Sequence, residues 1–217
     1  MRSPAARTAE EVETLGRYLS ISQRIPGWTR DDEAQELARL SLSLRPGAVI
    51  VEVGSFFGSG TILLAGPRKI QGSGRVHAVD PFDCSGDSYS VPVYREILAA
   101  GGSESLREHF ERNIAQADLS DWVEVHQGSA KAIAAMWTTP VDLLFLDGDQ
   151  SRLGVREAYE SWSKFLIPGS VIAIHNSHPD NFRVDHDGHR VLVEEEITSP
   201  DYYDIHLTLY TTFATKS

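Results

Sequence analysis

Cysteine is almost missing from this 217-residue sequence, which contains only Cys84. A single thiol excludes an intrachain disulfide and a structural zinc site built on several thiolates, and it suits a reducing, cytoplasmic setting. No apolar run approaches the roughly 20 residues that cross a bilayer. The first seven residues, Met1 to Arg7, lack the apolar centre of a signal peptide. Positive charge is scarce too, with 20 Lys plus Arg against 31 Asp plus Glu and a formal charge of −11. Such a surface repels phosphate backbones and anionic lipid, so neither nucleic acid nor a membrane is the expected partner. Hydrophobic residues at 41% and charged residues at 24% describe an ordinary globular chain, long enough for one α/β domain with a full core.

What the chain does contain is a change of period near residue 45. Before it, residues 8–25 read as a helix on the spacing of Val12, Leu15, Tyr18, Leu19 and Ser22, stopped by Pro26-Gly27. A second helix opens at Thr29, where Thr29-Arg30-Asp31-Asp32 resembles a capping box, and runs to about Leu44. Residues 1–45 thus form a helical preface to residues 46–217. From there short apolar runs alternate with helical ones. Strands are expected at Val49–Val53, Val76–Asp80, Trp122–His126, Val141–Leu146 and Val171–His175. Helices are expected from Thr61, over Ser103–Ala117, over Ala130–Trp137 and over Val155–Phe165. Two further strands, Tyr203–Leu209 and Thr211–Thr215, follow each other directly. The alternation predicts a doubly wound, mostly parallel α/β sheet of seven strands with an antiparallel addition at its C-terminal edge.

Open α/β sheets bind ligands beyond the carboxyl ends of their strands, and the polar residues of this chain collect there. The first strand runs into Glu52-Val53-Gly54-Ser55-Phe56-Phe57-Gly58-Ser59-Gly60, where glycines permit a sharp turn and close approach of a ligand to the main chain. The segment is neither of the two nucleotide-phosphate fingerprints. Leu63 stands where the dinucleotide motif needs a small residue, and Gly60 stands where the P-loop needs its lysine. Glu52 suits a cationic ligand better than a pyrophosphate. Asp80 ends the second strand, where a carboxylate can accept from both hydroxyls of a ribose. Gln127-Gly128-Ser129-Ala130 follows the third strand and reads equally as an adenine contact or as a helix N-cap by Ser129.

The fourth strand ends in Asp147-Gly148-Asp149-Gln150 and the fifth in His175-Asn176-Ser177-His178. Asp147, His175 and Asn176 fall on neighbouring strand ends, which reads either as a divalent cation site or as a hydrogen-bonded polar rim. Asp185-His186-Asp187-Gly188-His189 should hang over the same mouth, with His186 or His189 able to act as a base near neutral pH, or the segment is an exposed polar loop.

Together these residues resemble the class I methyltransferases that use S-adenosylmethionine. The closest resemblance is to small-molecule O-methyltransferases with a strand-four motif of the Leu-Asp-Gly-Asp-His type, and it extends over about residues 45–180. It implies the Rossmann-like methyltransferase fold. It also implies that Glu52, Gly54, Ser55 and Gly58 surround the methionine part of the cofactor and that Asp80 binds the ribose. Ser129 and Ala130 would contact the adenine, and Asp147 and Asp149 would lie beside the cofactor and its methyl. In metal-using relatives the cation is held by an acid ending strand four and a pair ending strand five. Asp147, His175 and Asn176 take those places, although His175 replaces the usual acid. Gln150 stands where the subgroup carries a histidine base, leaving His175, His178 and His189 as catalytic candidates. The segments Phe82–Gly102 and His178–Arg190 would shape the acceptor pocket. The expected partners are a small-molecule acceptor, a secondary metabolite or a sugar, and a second copy in a homodimer. Rival readings are a nicotinamide-dependent oxidoreductase, which the fingerprint disfavours, and a non-catalytic protein that binds S-adenosylmethionine, which the departures at 150 and 175 leave open.

Overall fold

The computed structural model describes residues 9–217. Seven strands form one sheet in the order β3-β2-β1-β4-β5-β7-β6, where β1 is Val49–Val53, β2 Arg75–Asp80, β3 Val123–Gln127, β4 Val141–Leu146, β5 Leu166–Ile174, β6 Tyr202–Thr208 and β7 Thr211–Lys216. Strands β1 to β5 pair in parallel, whereas β7 joins β5 and β6 antiparallel. The strand order reverses between β1 and β4, which opens a crevice at their carboxyl ends.

The period-two alternation of the strands divides the core. Ile50, Val76, Ala78, Leu143 and Phe145 face one cluster, which includes Leu63 and Ala65 of α3 (Ser59–Gln71) and Phe110 and Ile114 of α5 (Leu106–Gln116). Val51, Val53, Val79, Leu144 and Leu146 face a second, which holds Val155 and Trp162 of α7 (Arg152–Trp162) and Leu192 of α8 (Gly188–Glu196). Both faces of the central strands are covered, as their almost wholly apolar sequences require. Each buried Leu, Ile, Val or Phe side chain contributes about 1.5–3 kcal/mol of transfer free energy.

The N-terminal helices α1 (Ala9–Ser22) and α2 (Asp31–Ser43) share that core, because Tyr18, Ala34 and Leu37 lie in the same cluster as Ile50 and Phe145. The expected helix began at Thr8, which lies outside the described residues, and it ends at Ser22 rather than Ile25. The cap of α2 falls one residue later than the Thr29 box. Arg30 takes the cap position, and Glu33 accepts its backbone N–H at 3.1 Å.

Further differences have local causes. Residues 82–102 contain a helix, α4 (Ser90–Ala100), which fully buries only Ser90 and packs Tyr94, Ile97 and Leu98 half-buried against the core. Residues 188–196 form α8, whose short span carries more charge than apolar signal. Helix α5 starts at Leu106, since Ser105 and Glu108 make a reciprocal capping box. Strand β5 begins at Leu166, five residues before the expected start, and its pairing with β4 shifts register between Val141 and Leu143. Helix α6 is confined to Ala130–Ala134, and α7 begins three residues earlier than expected because Ser151 caps it.

Candidate functional site

The loop after β1 is held open from below. Glu52 is 1% exposed and accepts hydrogen bonds from the Ser55 hydroxyl at 2.8 Å and from the Thr61 hydroxyl. Burial pushes its carboxyl up to about 8 despite those two donors, so it is mostly protonated at neutral pH. Glu52 lines neither of the two large cavities described below, and it supports the turn instead of presenting a charge to a ligand. Gly54 crosses directly over the β4 loop at φ +91°. A Cβ there would sit 2.4 Å from the Gly148 Cα. Gly58 opens α3 as its N-cap at φ 91°.

Asp80, at the end of β2, accepts the backbone N–H groups of Ser55 at 2.8 Å, Phe56 at 2.9 Å and Phe82 at 2.6 Å. Burial raises its carboxyl above the ordinary range, with the three amides opposing. Asp80 thereby locks the turn after β1 to the end of β2. A cavity of about 380 Å³ lies over this junction, lined by Gly54, Asp80, Ser129, Ala130, Asp147 and Asp149 among others. Ser129 caps α6 through the Ala132 amide at 3.2 Å, as the N-cap reading has it, and also lines the cavity. Asp149 accepts the Ser151 amide at 2.9 Å and packs where any side chain on Gly154 would lie 2.2 Å from its carboxylate.

A second cavity of about 340 Å³ adjoins the first. Its aromatic walls are Trp28, Tyr89, Tyr94 and Tyr210, and Arg183 lies 4.0 Å above the Tyr89 ring. Tyr94 borders both cavities and packs against Phe56 and Trp28 with ring centroids 4.8 and 5.4 Å away. Residues Gln150, His175, Asn176 and His186 complete the polar wall.

The strand-end residues fall into two groups, one around His175 and one around Asn176 and His186. His175 is 4% exposed, its Nε2 4.0 Å from Asp147 Oδ1 and its Nδ1 3.7 Å from Glu33 Oε2. Burial alone would lower the imidazole, but the Asp147 and Glu33 carboxylates outweigh it and raise His175 above its ordinary value. Burial pushes Asp147 up to about 6 against the pull of His175. Burial also works on Glu33, yet His175, the Arg30 amide and the Thr211 hydroxyl hold it below the usual range. The Asn176 amide donates to Gln150 Oε1 at 2.5 Å, and its nitrogen lies 2.8 Å from His186 Nε2. On its other side, His186 Nδ1 lies 3.2 Å from buried Asp87. Burial acts upward on Asp87, but His186 and Ser90 together pull it down to about 2.

Asp147, His175 and Asn176, the expected metal ligands, divide between these two groups. Of Asp147, His175 and Asn176, only Asp147 is a carboxylate, the Asn176 amide nitrogen is turned to Gln150 and His186, and His175 is biased toward its cationic form. One carboxylate with one imidazole and one amide makes a poor set for magnesium, which takes oxygen ligands. Two of the expected catalytic histidines also fall elsewhere. His189 is 1% exposed beneath the rim, its Nδ1 2.5 Å from the His175 carbonyl oxygen, and burial lowers it to about 3. His178 accepts the Asp180 amide and lines neither large cavity. Glu33, Asp87, Trp28 and Tyr210 are the residues that sequence reasoning missed. Glu33 had a visible signal, an acid in the first turn of α2, but one that reads as a helix-end charge.

The chain's similarities match this architecture. A family model described as a methyltransferase domain matches residues 51–177. The O-methyltransferase TomG of Streptomyces achromogenes, involved in tomaymycin synthesis and solved with SAM, superposes with a TM-score of 0.63 at 21% identity, covering 94% of this chain and 90% of its own. An O-methyltransferase of Bacillus cereus solved with SAH gives 0.63 at 22% identity, with 94% and 91% covered. CalS11, a TDP-rhamnose 3'-O-methyltransferase of calicheamicin biosynthesis, gives 0.55 at 16% identity, with 97% and 96% covered. The matched segment spans the turn after β1, the carboxylates ending β2 and β4 and the polar end of β5, and on that match the chain belongs to the methyltransferase-domain family.

Proposed function

We propose that this protein transfers a methyl group from S-adenosylmethionine to a hydroxyl of a small molecule. The observation that carries the reading is the pair of adjoining cavities at the carboxyl ends of the sheet. One is lined with carboxylates, the other with aromatic rings, and Tyr94 stands between them. A sulfonium cofactor with an ammonium group is cationic, and Asp80, Asp147 and Asp149 fit it better than they fit a pyrophosphate. Gly54, Ser129 and Ala130 would hold its flanks, while Glu52, Ser55 and Gly58 position the turn. Relatives of the same fold solved with SAM or SAH support this assignment.

S-adenosylmethionine supplies an already activated methyl, so the protein's work is chiefly alignment. The aromatic walls stack against the acceptor ring, and Arg183 adds a cation at its edge. Asp147 lies at the junction of the sites, where its carboxylate stabilises positive charge, and His175 holds it in place from behind. We assign to His175, raised above its ordinary value by Asp147 and Glu33, the part of a divalent ion at this corner. The proton of the attacking hydroxyl needs an acceptor, and Gln150 cannot take one. His186, oriented by Asp87, has its Nε2 toward the Asn176 side of the cavity and is the base we assign. An acceptor resembling a sugar or secondary metabolite agrees with the related TDP-rhamnose and tomaymycin enzymes.

The test is calorimetric titration of Asp80→Ala with S-adenosylhomocysteine. The ribose contact predicts affinity at least tenfold below the parent, and equal affinity would remove Asp80 from the cofactor site.

A further inference from the structure

We propose that His77, Glu124 and His126 form a binding site for one divalent transition-metal ion, separate from methyl transfer. In the parallel pairing of β2 with β3, His77 stands opposite Glu124, and Val79 stands opposite His126. Parallel partners project to the same face, so all three side chains rise on the α6 side of the sheet. There they converge: His77 Nδ1 lies 3.0 Å from His126 Nε2 and 3.7 Å from Glu124 Oε2, and His126 Nε2 lies 3.6 Å from Glu124 Oε1. Ligands at about 2.0–2.1 Å from a tetrahedral zinc ion stand about 3.3 Å from one another; the two imidazole nitrogens are near that separation, and Glu124 turns one oxygen toward each. Among the described residues this is the one group of three or more potential His, Cys, Asp or Glu ligands whose donor atoms gather this closely.

The chemistry of the donors selects the ion. Two imidazoles with one carboxylate suit zinc, nickel or copper and suit magnesium poorly. Trp137 walls the site, its ring centroid 4.7 Å from that of His77 and 5.9 Å from that of His126. Glu124 is 48% exposed on its side chain, which leaves an open side for water as a fourth ligand. The Arg75 guanidinium, 3.9 Å from Glu124, is the competing cation, while the −11 charge of the chain favours a bound ion. None of the three residues lines the carboxylate or the aromatic cavity. Since β3 is the terminal strand of the sheet, an ion here would clasp it to β2 and stabilise the fold without entering the reaction.

The experiment is titration of tag-free, full-length protein with zinc chloride, and separately with nickel chloride, read by calorimetry and thermal unfolding. One ion per chain is expected with micromolar or tighter affinity, and a hundredfold excess over Kd should raise the Tm by about 5 °C. Glu124→Gln, at an exposed position that tolerates the change, and His126→Gln should each weaken binding at least tenfold, while His206→Gln, at a site remote from the three, leaves it intact. Absence of binding at millimolar zinc, or one-to-one binding that neither variant weakens, would overturn the proposal and leave only a hydrogen bond between two histidines. Neither result bears on whether the protein binds S-adenosylhomocysteine, so this inference and the methyltransferase reading stand or fall separately.

Discussion

Glu52 illustrates how the site is held by residues that do not enter it. Its carboxyl is buried, bonded to Ser55 and Thr61, and pushed up to about 8. A carboxyl whose folded pKa lies above its unfolded value binds its proton more tightly in the folded state. Stability is therefore highest below the unfolded value of 4.5 and declines as pH rises toward about 8. Glu52→Gln keeps the shape without the titration, so its Tm should match the parent at pH 4.5 and exceed it at pH 8.5. Parallel Tm curves for the two proteins would mean that Glu52 does not carry this penalty. His186 makes a kinetic prediction at the same scale. Loss of a positioned base typically costs 10²–10⁴ in rate. His186→Gln should thus lower kcat at least a hundredfold while S-adenosylhomocysteine affinity stays within threefold. A variant of undiminished kcat would assign the proton to another acceptor.

At the scale of elements, α2 is fastened to the sheet through one carboxylate. Glu33 accepts from the Arg30 amide, the Tyr210 amide and the Thr211 hydroxyl, and it faces His175. Removing it leaves these groups buried and unpaired, which costs about 3 kcal/mol. Urea unfolding of Glu33→Ala should show a loss of that size, and a loss below about 1 kcal/mol would contradict the role assigned to it. Elements with an apolar period were legible in the sequence. The strands of the central sheet and α7 were found because their burial is regular, as with Val155, Tyr159 and Trp162. The helices α4 and α8 were not. One only half-buries its apolar residues, Tyr94, Ile97 and Leu98, and the other owes its position to long-range contacts such as the Gly188 amide bonded to the Gln150 carbonyl at 3.0 Å. The same distinction explains the site. Asp80 and Asp147 stand at strand ends, with Asp149 just beyond, and can be placed by counting, whereas Asp87 meets His186 across 99 positions and no local pattern announces it.

Over the whole molecule, the fold gathers one acidic cavity and one aromatic cavity at a single rim and sets His175 between the Asp147 and Glu33 carboxylates. No described helix is long and apolar enough to cross a membrane. The sequence left Asp147, His175 and Asn176 open between a divalent-ion site and a polar rim, because only residue type and strand position are visible in it. The distance from His175 to Glu33, a residue on α2, is not. The most direct test of the account is calorimetric titration of the purified full chain with S-adenosylhomocysteine, once with excess EDTA and once with magnesium. The account predicts one binding event per chain in the micromolar range, unchanged by magnesium. Failure to bind at millimolar concentration would contradict the methyltransferase reading, and binding that appears only with magnesium would contradict the role given to His175.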